Sequence, residues 1–146
     1  MNLLITQSLT FLLSYYIPKL LVATLCGGII GLERELKHRS AGLKTNVLIC
    51  VGSTLFTSTG LLICSNNVDR VVSQIISGIG FLGAGAIFKS TNKVRGLTTA
   101  AFIWVGAAIG IIVGCGGSLI AIILSSGCVV TSLILNYVEK KFYNDH

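Results

Sequence analysis

No acidic residue occurs between Asp69 and Glu139. Over that length, bases occur only at Arg70, Lys89, Lys93 and Arg95. What remains is three apolar runs, residues 71–88, 97–114 and 118–138. Two more precede them, one from Pro18 to Glu33 and one over residues 43–64. As a helix the run 43–64 rises about 33 Å, which matches the hydrocarbon core of a bilayer. Charged residues make up only 11% of the 146 and mean hydropathy is +0.86. Soluble domains carry about 25% charged residues, and a chain this short cannot hide so much apolar surface from water. The pattern predicts an all-α integral membrane protein, a glycine-rich bundle of about five transmembrane helices.

The transmembrane domain is expected over residues 18–138, with a short tail at 139–146. Residues 1–17 are apolar, and are either an interfacial segment or the start of the first span. No basic residue precedes 3–17, so a cleavable signal is not expected. LLVATLCGG is a poor lipoprotein box, because bulky Leu25 stands before Cys26. Pro18 suits the first turn of a helix. The segment 33–44 is dense in charge, with Glu33/Lys37 and Glu35/Arg39 in the favourable helical order. It reads as the charged end of the first helix, and Gly42 suits its end or the turn. Asn67 is placed to cap the third helix and Asp69 to favour its N-terminus. Thr98 or Thr99 is placed to cap the fourth, and Gly116-Gly117-Ser118 to turn into the fifth.

The formal net charge of +6 does not point to nucleic acid, because the bases sit in short clusters between apolar runs. With five spans, Arg34, Lys37, Arg39, Lys44, Lys89, Lys93, Arg95, Lys140 and Lys141 fall on one side. Only Lys19 and Arg70 fall on the other. The positive-inside rule makes the basic side cytoplasmic, with the N-terminus outside and the C-terminus inside.

Gly78-x-Gly80-x-x-Gly83 matches the dinucleotide fingerprint as letters only. That motif needs a strand before it and an acid about 20 residues on; Ile103 stands there instead. No nucleotide is expected. Gly27 and Gly31, and Gly106, Gly110 and Gly114, repeat every four residues, which lets helix backbones approach closely in lipid. Gly78, Gly80, Gly83 and Gly85 crowd the third span. Each weakens a helix by about 1 kcal/mol relative to Ala. That segment either packs against neighbours or breaks near the midplane, as the ion-binding helices of transporters do.

Polar residues in the spans are few. Asp69, Arg70, Gln74 and Ser77, with Ser73 beside them, are candidate path residues; Gln74 shares a helical face with Arg70. They serve either interhelical hydrogen bonding or a polar site near the surface. No ionisable residue lies clearly mid-span. Glu33 and Glu35 lie on the opposite side from Asp69, so they are not expected to share one ion, and no metal site is assigned. Cys26, Cys50, Cys64, Cys115 and Cys128 read as small apolar thiols, without a Cys64–Cys115 disulfide. His38 and His146 are the only histidines. Neither sits where a nucleophile–base pair is expected, so no enzyme activity and no cofactor are expected.

Four blocks carry a family pattern: GGIIGLERE (27–35), AGLKTNVLICVGSTLF (41–56), DRVVSQIISGIGFLGAGAIFK (69–89) and VRGLTTAAFIWVGAAIG (94–110). Together they resemble the membrane domain of the MgtC/SapB family over about residues 20–138. The resemblance implies a bacterial inner-membrane protein with about five spans that acts as a regulator rather than a proven transporter. It associates such proteins with growth in low magnesium and with survival of pathogens inside host cells. Many members continue after the last span into a soluble ACT-like domain, whereas this sequence stops at His146, so functions resting on that domain are expected only where a separate chain supplies it. The residues carried by the matching blocks are Glu33, Arg34, Glu35, Lys44, Thr45, Asn46, Asp69, Arg70, Gln74, Arg95, Thr98 and Thr99. Depth alone groups Glu33, Arg34, Glu35, Lys44, Asn46, Arg95, Thr98 and Thr99 as one charged cytoplasmic cluster. Within it, Glu33 or Glu35 is expected to pair with Arg95 or Lys44. The expected partners are the bilayer and a membrane protein or second copy. The alternative reading is a small transporter or channel subunit for magnesium or another cation.

Overall fold

The computed structural model describes residues 2–63, 67–90 and 93–144, with side chains over 9–63, 67–89 and 93–142. Five helices follow in order: α1 (Asn2–Leu36), α2 (Leu43–Ile63), α3 (Val68–Gly85), α4 (Leu97–Gly114) and α5 (Ser118–Asn144). Between α3 and α4 lies a small antiparallel hairpin, β1 (Phe88–Ser90) and β2 (Lys93–Arg95). Four helices, α1, α2, α4 and α5, are long and apolar enough to cross a membrane. The chain is a multi-pass membrane protein. α3, which carries Asp69, Arg70 and Gln74, is not among those four helices.

Contacts fix the directions. Tyr16 meets Thr59 at 2.9 Å, while Gly31 lies against Leu43, so α1 and α2 are antiparallel. Cys50, Thr54 and Ser58 meet Gly106, Gly110 and Gly114 in turn, so α2 and α4 run parallel. α3 therefore carries the chain back, with Val71 near Gly60 and Gly83 near Ala100. Its 18 residues rise about 27 Å, close to a hydrocarbon core's thickness. One end of the bundle thus gathers the α1–α2 turn, the β hairpin and the end of α5. All the bases except Lys19 and Arg70 belong to that end.

α1 passes through Pro18 without interruption. Proline is not at its first turn, and residues before it are the same helix. Membrane helices tolerate this where neighbouring groups re-satisfy the freed backbone carbonyl. α1 does not end at Gly42. Its last turn closes with Arg39 N–H to Arg34 O at 3.0 Å and His38 N–H to Glu35 O at 2.9 Å. His38 takes the left-handed conformation, φ 53°, in the place glycine usually fills. α4 ends the same way with Gly116 at φ 93°.

The expected side-chain caps are absent. Asn67 occupies the N-cap of α3 without a side-chain bond, and left-handed Gly96 precedes α4 in place of a threonine cap. Gly96 is required by more than its φ of 92°: a Cβ there would overlap the Ala86 carbonyl, where the base of the hairpin closes.

The centre is held by α2, whose buried face is Asn46, Ile49, Cys50, Ser53, Thr54, Thr57 and Ser58. Lipid is as apolar as leucine, so association rests on close packing and hydrogen bonds. Cys50 Sγ donates to Gly106 O at 3.1 Å, Thr54 Oγ1 to Gly110 O at 2.9 Å, and Ser58 Oγ to Gly114 O at 3.3 Å. The glycines of α4 expose the carbonyls that these side chains reach. On α1, Gly27 and Gly31 let the α2 backbone approach closely: an added Cβ would stand 2.7 Å from Val47 Cα and Leu43 Cα. Ala23, Cys26, Ile30, Cys50, Ile109, Val113 and Ala121 complete the core. Replacing Thr54 by Val keeps the shape and removes one rung. Interhelical hydrogen bonds in membranes average about 0.6 kcal/mol. Thr54→Val is therefore expected to cost no more than about 1 kcal/mol in detergent unfolding, leaving a folded bundle.

α3 is attached differently. Only Ile79 and Gly83 are buried along it. The helix is continuous from Val68 to Gly85, so the alternative of a midplane break is not what the structure has. Gly83 touches Ala100 at ordinary contact distance, but Gly78, Gly80 and Gly85 have nothing within 4 Å of where a Cβ would stand. These three do not pack within the chain, in contrast to Gly27, Gly31 and Gly110. Gly106 makes ordinary contact with Ile49 at 3.6 Å. Cys26 and Cys50 are buried, Cys115 is exposed and Cys128 is half-buried, all as free thiols. Cys64 lies outside the described residues.

Candidate functional site

The basic end holds a buried charged centre at the junction of α1, α4 and α5. The last turns of α1 deliver Glu33 and Arg34, which are 7% and 2% exposed. Glu33 Oε1 lies 2.5 Å from Lys37 Nζ and accepts from Ser132 Oγ of α5 at 3.2 Å. Its Oε2 is 3.5 Å from Arg34 Nη1. The Arg34 guanidinium stacks over the Phe102 ring of α4, 4.3 Å from its centroid. An arginine over an aromatic face is attracted by the ring quadrupole, more strongly where water is excluded. Arg34 Nε and Nη2 are buried and have no protein partner.

The expected pairing is corrected here. Neither Glu33 nor Glu35 reaches Arg95 or Lys44. Glu35 Oε2 instead accepts from the Leu43 N–H at 2.9 Å and caps α2 from the preceding helix. Gly42 makes this possible, since a Cβ there would overlap the Glu35 carboxylate. Common depth does not fix the direction a side chain takes around its helix. Glu33 turns toward α5, and Arg95 and Lys44 remain exposed.

Two members of the predicted cluster hold the α1–α2 turn instead. Asn46 is fully buried, and its Nδ2 donates to Ala41 O at 2.8 Å and Gly42 O at 2.9 Å, tying the α1–α2 turn to α2. Buried Thr99 meets Ser40 across the same turn at 3.5 Å. Thr98 is exposed. Ser132 and Phe102 were not legible as site residues. Ser132 is one of many serines in an apolar helix, and only the parallel pairing of α1 with α5 sets it against Glu33.

The second feature is a groove of about 1030 Å³ between α2 and α3. Lys44 lies at its basic end, and Arg70, with Asn67, lies at the other. Its walls are mainly apolar, including Leu48, Phe56, Ile75 and Leu82. Of the predicted path residues, Arg70 and Gln74 line it, whereas Asp69 and Ser77 are exposed elsewhere. Ser73 donates to the Arg70 carbonyl at 2.8 Å. Among the described residues, no three His, Cys, Asp or Glu side chains gather as a potential metal site.

Comparison with known proteins identifies the family. The family model described as the MgtC family matches residues 20–141, which spans the charged centre, the α2–α4 ladder and the groove. Protein MgtC of Brucella abortus is 46% identical over 114 residues, covering 77% of this chain and 45% of the relative. Protein MgtC of Salmonella typhimurium is 46% identical over 101 residues, covering 69% of this chain and 44% of the relative. The chain thus spans less than half the length of these curated relatives. No solved structure matches. With the match covering every element that builds the site, the chain belongs to the MgtC family.

Proposed function

We propose that the chain is a non-enzymatic regulator of the bacterial inner membrane, acting in adaptation to low magnesium and in survival inside host cells. It acts by docking onto another membrane protein or a second copy. The observation that carries this reading is the outward face of α3. Gly80 lies open on it, beside Phe81 at 82% exposure. Small residues on a lipid-facing surface permit close backbone approach by another helix. Packing within the chain does not account for a glycine at this position. The charged end is assigned to the cytoplasm by its bases, with the N-terminus outside.

The test is growth of a deletion strain in low magnesium with this chain restored. Gly80→Leu is expected to insert and fold normally but to lose rescue. Full rescue by Gly80→Leu would remove the docking face from the mechanism. A second reading, a cation transporter or channel subunit, is favoured by the groove that Arg70 and Gln74 share. Purified protein in liposomes separates the two. Cation flux abolished by Gln74→Leu supports transport; no flux, together with loss of rescue by Gly80→Leu, supports docking.

A further inference from the structure

The groove between α2 and α3 has a feature that neither reading uses. Its charged lining residues, Lys44 and Arg70, are both cations. Among the described residues neither side chain has a hydrogen-bond or ion-pair partner. From Lys44 to Phe56 the α2 wall rises about 18 Å. Half of a hydrocarbon core is about 15 Å deep. The wall is therefore long enough to lie beside the acyl chains of one leaflet. Two glycines, Gly52 and Gly78, line the groove with nothing within 4 Å of a Cβ position, which leaves its middle open. The groove is open on one side, and the exposed side chains of Leu48, Phe56 and Leu82 line it.

We infer that this groove holds an anionic phospholipid, with its phosphate at Lys44 and its acyl chains along Leu48, Gly52 and Phe56. Charge decides which end takes the headgroup. Arg70 is next to Asp69. Lys44 shares its end with Arg39, Lys89, Lys93 and Arg95, while the nearby acids are engaged: Glu33 by Lys37 and Ser132, Glu35 by the Leu43 N–H. Basic pockets between membrane helices bind anionic headgroups in this manner. The apolar walls match acyl chains, and they offer little to a free phosphate. The inference stands apart from the docking reading, which uses the opposite face of α3.

Native mass spectrometry on the detergent-purified chain tests it, with phosphatidylglycerol and phosphatidylcholine titrated in turn. The expected result is retained phosphatidylglycerol, preferred about fivefold over phosphatidylcholine. Lys44→Glu, on an exposed side chain, is expected to abolish the preference. Gly52→Leu with Gly78→Leu fills the groove and is expected to abolish retention of both lipids. An added Cβ at either position has no atom within 4 Å, and leucine improves helix propensity, so the melting temperature is expected not to fall. Equal retention of the two lipids overturns the inference. So does phosphatidylglycerol retention that survives the filled groove, or a dimer joined by cross-links through Phe56→Cys with no lipid bound.

Discussion

Gly110→Ala is expected to destabilise the folded protein by about 1–2 kcal/mol, whereas Gly80→Ala is expected to stabilise it by up to about 1 kcal/mol. Intrinsic helix propensity favours alanine at both sites by about 1 kcal/mol, so the difference must come from neighbours. At Gly110 the new methyl would overlap the Cys50 carbonyl oxygen and stand 2.8 Å from Ser53 Cβ. A backbone atom cannot move aside as a side-chain tip can. The helices must separate, and overpacking of this kind costs about 1–3 kcal/mol. Separation also stretches the Thr54 hydroxyl bond to the Gly110 carbonyl. At Gly80 nothing lies within 4 Å, so only the propensity gain remains. Reversible unfolding in mixed micelles measures both. Equal signs for the two substitutions would remove the case that the α2–α4 seam depends on glycine.

This contrast marks where the sequence is legible and where it is not. A four-residue glycine spacing identifies a helix face, and on α1 and α4 that face meets α2. The spacing does not say whether a face meets protein or lipid, which is why Gly78, Gly80 and Gly85 resembled packing residues. The ladder of Cys50, Thr54 and Ser58 needs the knowledge that α2 lies parallel to α4, a fact of tertiary pairing. Loop charges were more informative. Charged groups avoid the hydrocarbon whatever the packing, so the basic end could be read from their order alone. The pairing of Glu33 was misread because depth is set by position along a helix, whereas partner choice is set by rotation about it. His38 in the left-handed position, and a hairpin at 88–95, carried no signal strong enough to displace a glycine cap and a plain loop.

Rotation about α1 also governs the second large effect, at the charged centre. Glu33→Ala is expected to destabilise the chain by about 3–5 kcal/mol, the range for breaking a buried pair from one side. Lys37 is 27% exposed at its side chain and can turn to solvent. Arg34 cannot: it is 2% exposed and would keep only the Phe102 ring. The reverse change is milder. Arg34→Met leaves Glu33 with Lys37 and Ser132, and the methionine chain occupies the space against Phe102. Its expected cost is about 1–2 kcal/mol, mainly from lost packing and the lost cation–π contact. The decisive measurement is the double variant. Arg34→Met added to Glu33→Ala removes the stranded charge, so the double variant is expected to be more stable than Glu33→Ala alone, a coupling opposite to additivity. If the second substitution only lowers stability further, Glu33 does not compensate Arg34, and the unpartnered Nε and Nη2 of Arg34 must be satisfied by some other group.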